Sequence, residues 1–131
     1  MKNYDLIWEG VKLTVHFRGT LTLEDVFQLC NERIGNELFC SVKYVLNDMS
    51  EVDSITLKEE EMNYANIYSS VSRLFGDRRD LLSAFVVPND EIEKKVQRYI
   101  DASQKKPNDW QRKIFRSIEQ ADAWAMEKLK K

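Results

Sequence analysis

Lys43-Tyr-Val-Leu-Asn-Asp-Met-Ser-Glu-Val-Asp-Ser-Ile-Thr-Leu57 is the stretch on which the fold turns. A β-branched and aromatic run, Val42 to Leu46, meets a cluster of Asn47, Asp48, Ser50, Asp53 and Ser54, and a helical pattern opens near Thr56. The pattern predicts a buried central strand over Val42 to Met49, a polar loop at its carboxyl end, and a helix start. In open α/β sheets ligands and partners dock at the carboxyl ends of the strands. Asp48, Ser50, Asp53, Ser54 and Thr56 are therefore the candidate partner-binding residues.

Toward the N-terminus, Leu6 and Trp8 alternate with Asp5 and Glu9, and Gly10 turns the chain. Val11, Leu13, Val15 and Phe17 then alternate with Lys12, Thr14, His16 and Arg18, up to Gly19. This spacing predicts a hairpin around Glu9-Gly10 whose second strand has one wet face. Thr22, with Asp25 three residues on, has the form of a capping box for a helix carrying Leu23, Val26, Phe27, Cys30 and Ile34, and Gly35 is its stop.

Toward the C-terminus a helix is predicted from about Thr56 to Phe75, with Glu59, Glu60 and Glu61 near the positive end of its dipole. Leu82 to Val87 reads as a strand closed by Pro88-Asn89-Asp90, and Asp90 as the cap of a helix carrying Ile92, Val96, Tyr99 and Ile100. After Pro107-Asn108-Asp109 come a short strand near Arg112 to Phe115 and a Ser117 cap. On the last helix Ile118, Ala121, Ala125 and Leu129 are expected to face inward.

The order β-β-α-β-α-β-α-β-α implies an α/β fold. It is a mixed, mostly parallel five-stranded sheet with an N-terminal β-hairpin, four helices and right-handed crossovers. The polar face of the second strand (Lys12, Thr14, His16, Arg18) is expected to continue through Lys43 and Asn47 and to turn apolar at Val45, Phe85 and Val87. A sheet with such unequal faces carries its helices mainly on one side.

At 131 residues the chain fits one domain, 1–131. Lys plus Arg is 20 and Asp plus Glu 22, a formal charge of -2, which argues against a dedicated nucleic-acid binder. The two cysteines, Cys30 and Cys40, have neither the spacing nor the companions of a zinc site. Cys30 reads as buried on a helix face and Cys40 as preceding a strand. Met1 to Asp5 carries no signal-peptide pattern and no apolar run nears the ~20 residues of a membrane span. A cytoplasmic address and reduced thiols are the expectation.

The chemistry-bearing residues are few. His16 is the only histidine and sits mid-strand on a polar face, where a solvated role is expected. Asp48, Glu51 and Asp53 read as turn formers and caps rather than as a magnesium site. Gly10, Gly19, Gly35 and Gly76 form no phosphate loop. The expectation is a protein that is not an enzyme and has no cofactor and no metal. A second surface is the long helix and its end: Tyr64, Ile67, Tyr68, Leu74 and Phe75 widen the apolar arc, and Arg73, Arg78 and Arg79 supply positive charge. Those eight residues are the candidates for an apolar ligand or an anionic membrane.

The chain resembles the STAS-like, or SpoIIAA-like, proteins, stand-alone bacterial relatives of the anti-sigma-factor antagonist. The residues that carry the resemblance are Phe17-Arg-Gly19 with Thr22 and Asp25, Val45-Leu-Asn-Asp48 with Val52-Asp-Ser54, Ala84-Phe-Val-Val87, and Ile114-Phe115 with Ser117, Ala121 and Trp124. The resemblance implies a non-enzymatic regulatory or protein-interaction module. The phosphorylated members carry Asp-Ser-Ser-Gly at the helix start, with the second Ser as acceptor. Here the run is Asp53-Ser54-Ile55-Thr56, so Ile55 stands at the acceptor position and the usual phosphorylation is not expected. Ser54 or Thr56 would serve only after a one-residue shift. The architecture is also similar to lipid-carrying domains of the CRAL-TRIO type, which implies the alternative of a small apolar-ligand or lipid-binding module, peripheral at the inner face of the membrane. The partners this reading allows are a protein, a lipid or anionic membrane surface, and a second copy of the chain as a homodimer.

Overall fold

The computed structural model describes residues 3–34, 36–58, 81–103 and 111–130. Five strands form one sheet whose order in space is their order in the chain: β1 (Tyr4–Glu9), β2 (Lys12–Leu21), β3 (Tyr44–Ile55), β4 (Leu82–Val86) and β5 (Gln111–Phe115). β1 and β2 are antiparallel, joined by the two-residue turn Gly10-Val11 with Gly10 at φ +63°, and all later neighbours are parallel. The helices are α1 (Leu23–Ile34), α2 (Asp90–Ser103) and α3 (Ile118–Leu129), and a 3-10 turn over Glu37–Ser41 precedes β3. This is the mixed, mostly parallel α/β sheet with an N-terminal hairpin that the sequence predicts. Of the four expected helices, three fall among the described residues. In the helix read from Thr56 to Phe75, Thr56, Leu57 and Lys58 are not helical, and the remainder lies outside the described residues.

The strand order explains the distribution of helices. Right-handed connections that always step the same way along a sheet place their helices on one face. Accordingly α1, between β2 and β3, and α2, between β4 and β5, share the inner face. There Leu29, Ile92, Val96 and Ile100 pack on Leu13, Val15, Phe17, Val45, Met49, Val52, Ile55 and Phe85. Among the described helices, α3, which follows the last strand, is the one on the outer face, with Ala121 and Ala125 against Tyr44, Leu46, Leu82, Ala84 and Val86. Two alanines make a narrow stripe, so Ile118 and Leu129, expected to face inward, are instead 38 % and 39 % exposed.

The faces are unequal as expected, but their residues are shared out differently. Tyr44, Leu46 and Asp48 lie beside Lys12, Thr14 and His16 on the outer face, where Tyr44 and Leu46 are buried under α3. Asn47, expected there, is buried on the inner face, as are Val45, Phe85 and Val87. The Lys43 and Tyr44 N–H groups both donate to the Val11 carbonyl (2.7 and 3.1 Å), which sets Tyr44 beside Lys12. With a side-chain period of two, a one-residue difference in register exchanges the faces. Asn47 is satisfied in its apolar setting: Nδ2 donates to Ser83 Oγ and to the Ala84 carbonyl, each at 3.0 Å.

Local chemistry fixes the helix starts. The Asp25 N–H donates to Thr22 Oγ1 (3.3 Å) and the Thr22 N–H to Asp25 Oδ2 (2.9 Å), a reciprocal cap for α1. α2 is capped by Asn89, one residue before the expected Asp90, since its Oδ1 accepts from the Ile92 N–H at 3.0 Å. Ser117 caps α3 through the Gln120 N–H. Cys30 is buried, and its Sγ accepts from Arg33. Cys40 belongs to the 3-10 turn.

Candidate functional site

The polar segment Asp48 to Ser54 is strand, not loop. β3 runs on to Ile55 because β2 runs on to Leu21 and the two stay paired, with Glu51 beside Arg18, Val52 beside Gly19, Ser54 beside Thr20 and Ile55 beside Leu21. The pairing breaks register twice, between His16 and Arg18 and between Gly19 and Thr20. At the first break Met49 and Ser50 together oppose Phe17, and at the second Asp53 has no opposite number, so both are bulges on β3. Gly19 stands at the second break with φ +70°, a conformation that costs a glycine little. These bulges space the buried positions Met49, Val52 and Ile55 three apart. That spacing hides the strand from a period-two reading.

The first bulge brings Asp48 and Glu51 to the same histidine. His16 Nδ1 lies 3.1 Å from Asp48 Oδ2, and Nε2 lies 2.6 Å from Glu51 Oε2. Asp48 Oδ1 accepts from the Ser50 N–H at 3.1 Å. The hydrogen bond to Glu51 lifts the imidazole pKa above its ordinary value, and although burial opposes this, Asp48 adds to the lift. Burial likewise disfavours the ionised form of Asp48, but the Ser50 hydrogen bonds and His16 outweigh it, and its pKa falls below the ordinary value. Both shifts favour one ionic arrangement: an imidazolium between two carboxylates.

The row continues along β2. Arg18 pairs with Asp5 (2.5 Å), Thr20 Oγ1 and Ser54 Oγ share a hydrogen bond at 3.0 Å, and Lys12 meets Asp122 of α3 at 3.3 Å, where the Tyr44 hydroxyl also donates. At the carboxyl end of β3 the Thr56 N–H and hydroxyl both donate to the Leu21 carbonyl (3.0 and 3.1 Å), and Lys95 of α2 donates to the Ile55 carbonyl. Thr56 thus closes a strand rather than opening a helix.

Of the five partner-binding candidates, the structure brings Asp48 and Ser50 together around His16. Ser54 lies further along, paired with Thr20, while Asp53 and Thr56 are exposed at the end of the strand. The cluster itself is not apparent in the sequence. His16, expected as a solvated strand residue, has a side chain 28 % exposed with both ring nitrogens engaged. The signal was present in the alternation of β2. What was lacking was the β2–β3 register.

The eight apolar-ligand and membrane candidates, Tyr64, Ile67, Tyr68, Leu74, Phe75, Arg73, Arg78 and Arg79, lie outside the described residues. A different apolar site is present between α1, α2 and the inner face: a cavity of about 90 Å³ lined by Phe17, Leu21, Leu29, Met49, Phe85 and Tyr99, with Arg33 and Lys95 in its wall. Among the described residues no three His, Cys, Asp or Glu side chains are disposed to hold a metal ion. No described helix is long and apolar enough to cross a membrane.

No protein-family model matches the chain, and no curated protein does. Solved structures do. An uncharacterized protein of the DUF3478 family with a SpoIIAA-like fold, from Shewanella loihica, superposes with a TM-score of 0.57 at 17% identity over 95% of each chain. The anti-sigma factor antagonist SpoIIAA in its unphosphorylated form gives 0.54 at 11% identity over 97% of each chain. The phosphorylated form of the Bacillus cell fate determinant SpoIIAA gives 0.51 at 9% identity, over 92% of this chain and 97% of that one. The fold is SpoIIAA-like.

Proposed function

We propose that this chain is a non-enzymatic, STAS-like regulatory module that docks a protein on the outer face of the β2–β3 pair, toward the carboxyl end of β3. The observation that carries this reading is the organised polar row His16, Asp48, Glu51, Arg18, Thr20 and Ser54. α3 covers the outer face over β3 and β4, and the hairpin beside it leaves Ile7 48 % exposed. A partnered, pre-ordered polar face with an apolar side chain at its margin loses little entropy when a partner binds. The SpoIIAA-like fold supports the same reading, since one similar structure is an antagonist of an anti-sigma factor.

Regulation at the usual acceptor does not fit this chain. Ile55 carries no hydroxyl and is 4 % exposed at the end of β3. Ser54 and Thr56 are each tied to β2.

The test is quantitative capture from the source cell with wild-type bait and with a Glu51→Lys/Asp53→Lys double variant. Both positions are exposed, so the fold should survive, which circular dichroism would verify. A species enriched by wild type and lost with the variant is expected. Equal capture by both baits would sink the docking face.

The cavity under α1 and α2 favours a second reading, a module for a small apolar ligand with an anionic end facing Arg33 and Lys95. Solvent extraction of purified protein followed by mass spectrometry separates the two. A stoichiometric amphiphile would favour this reading, and its absence the first.

A further inference from the structure

His16 is held by two carboxylates from the same strand, one on each ring nitrogen. An ionised carboxylate only accepts, so both hydrogen bonds exist together only when the ring carries both protons. A neutral imidazole keeps one N–H and turns the lone pair of its other nitrogen toward a carboxylate oxygen. The two carboxylates differ in what they would then do. Asp48 is 10 % exposed and anchored by the Ser50 N–H, whereas Glu51 is 63 % exposed and open to water. Loss of the proton therefore releases Glu51 and leaves Asp48 in place.

Glu51 stands directly after the bulged pair Met49-Ser50 and two residues before Asp53, so its tie to His16 spans the bulge from outside. We propose that His16 is a proton-controlled clasp on the bulged edge of β3: protonated, it holds Glu51 and the bulge against β2; neutral, it frees them and alters the face on which a partner docks. The inference rests on the docking reading for its consequence, but not for its chemistry.

The surrounding charges agree. From β1, Asp5 lies beside His16, its carboxylate engaged by Arg18. On β2 itself the flanking residues are Thr14 and Arg18. β3 supplies Asp48 and Glu51, and Asp122 of α3 is taken up by Lys12 and Tyr44. Three carboxylates and one guanidinium around the ring leave a local excess of negative charge, which favours the imidazolium. The upward shift of His16 comes first from the Glu51 hydrogen bond and then from Asp48, against the opposing effect of burial.

His16 is the only histidine in the chain, so its ring can be followed by NMR without assignment. The expected result is a midpoint above the ordinary 6.5, with the backbone amides of Met49 to Asp53 moving at the same midpoint. Glu51→Gln should lower the ring midpoint by about one unit, the low end for losing an adjacent opposite charge. A midpoint at or below 6.5, or bulge amides that do not follow the ring, would overturn the clasp. Where a partner is captured, its retention should change across the midpoint for wild type and not for His16→Gln; equal pH dependence of both would also overturn it. Failure of the docking face shows separately, as capture insensitive to Glu51→Lys/Asp53→Lys while the ring and bulge still titrate together.

Discussion

Leu46→Ala probes the placement of β3 at the middle of the sheet. Leu46 is 1 % exposed, has Thr14 beside it on β2 and Ala84 on β4, and lies under Ala121 and Ala125 of α3. Truncation removes three carbons, about 2.4 kcal/mol at ~0.8 kcal/mol per buried methylene. The methyl groups of the neighbouring alanines are too short to refill the space, so a cavity penalty adds to this, for a total of about 3–4 kcal/mol. With a urea slope of about 2 kcal/mol per molar, the midpoint should fall by about 1.5–2 M at unchanged slope. Val15→Ala, on the inner face and 0 % exposed, removes two methyls, about 1.6 kcal/mol before any cavity term, and should shift the midpoint roughly half as far. A Leu46→Ala midpoint within about 0.5 M of wild type would refute the argument, because no edge or half-wet position is compatible with the burial on which it rests.

The His16 cluster sets a pH window for stability. The His16 pKa is raised above 6.5 in the folded state, so its contribution is full below about 6.5 and is lost as pH rises through the raised value; that of Asp48, lowered from 3.8, is present above about 3.8 and lost as pH falls through the lowered value. His16→Gln should flatten the alkaline side of the Tm profile, and parallel profiles for variant and wild type would contradict this. Asn47→Ala removes both donors from a buried site and leaves Ser83 Oγ and the Ala84 carbonyl without them, a loss of about 1–3 kcal/mol measurable in the same urea melts. Thr22→Ala should cost about 1 kcal/mol by removing the α1 cap, whereas an equal cost for the exposed Glu24→Ala would show that the cap is not the cause. Incubation with serine kinases of the anti-sigma type should leave the intact mass unchanged, and a single phosphate mapped to Ser54 or Thr56 would restore phosphorylation as the switch.

The strands themselves, the hairpin and the caps at Thr22 and Ser117 were legible because each is written in local chemistry: a period of two, a glycine at a turn, a hydroxyl three residues ahead of its donor. The second half of β3 was not. Small polar and acidic residues in a row have the composition of a loop, and a bulged strand uses the same residues, since its buried positions no longer alternate. The His16 cluster stayed hidden for a related reason. Which residue of β3 stands opposite His16 depends on hydrogen bonds from Lys43 and Tyr44 to Val11, and no property of either strand by itself fixes that register. Cap position at α2 slipped by one, from Asp90 to Asn89, because both side chains can perform the task.

Because neighbours in the sheet are neighbours in the chain, a ribosome delivers each strand to an edge that already exists, and none has to be threaded between two others. The outer face follows a different timetable. Its apolar strip of Tyr44, Leu46, Leu82, Ala84 and Val86 is laid down strand by strand, but its cover, α3, is the last described element to be made. Until α3 is folded in place no other described element covers this band, and apolar surface left open to water in this way invites aggregation. A chain stopped at Ser117 should bind a hydrophobic dye that the 131-residue chain excludes.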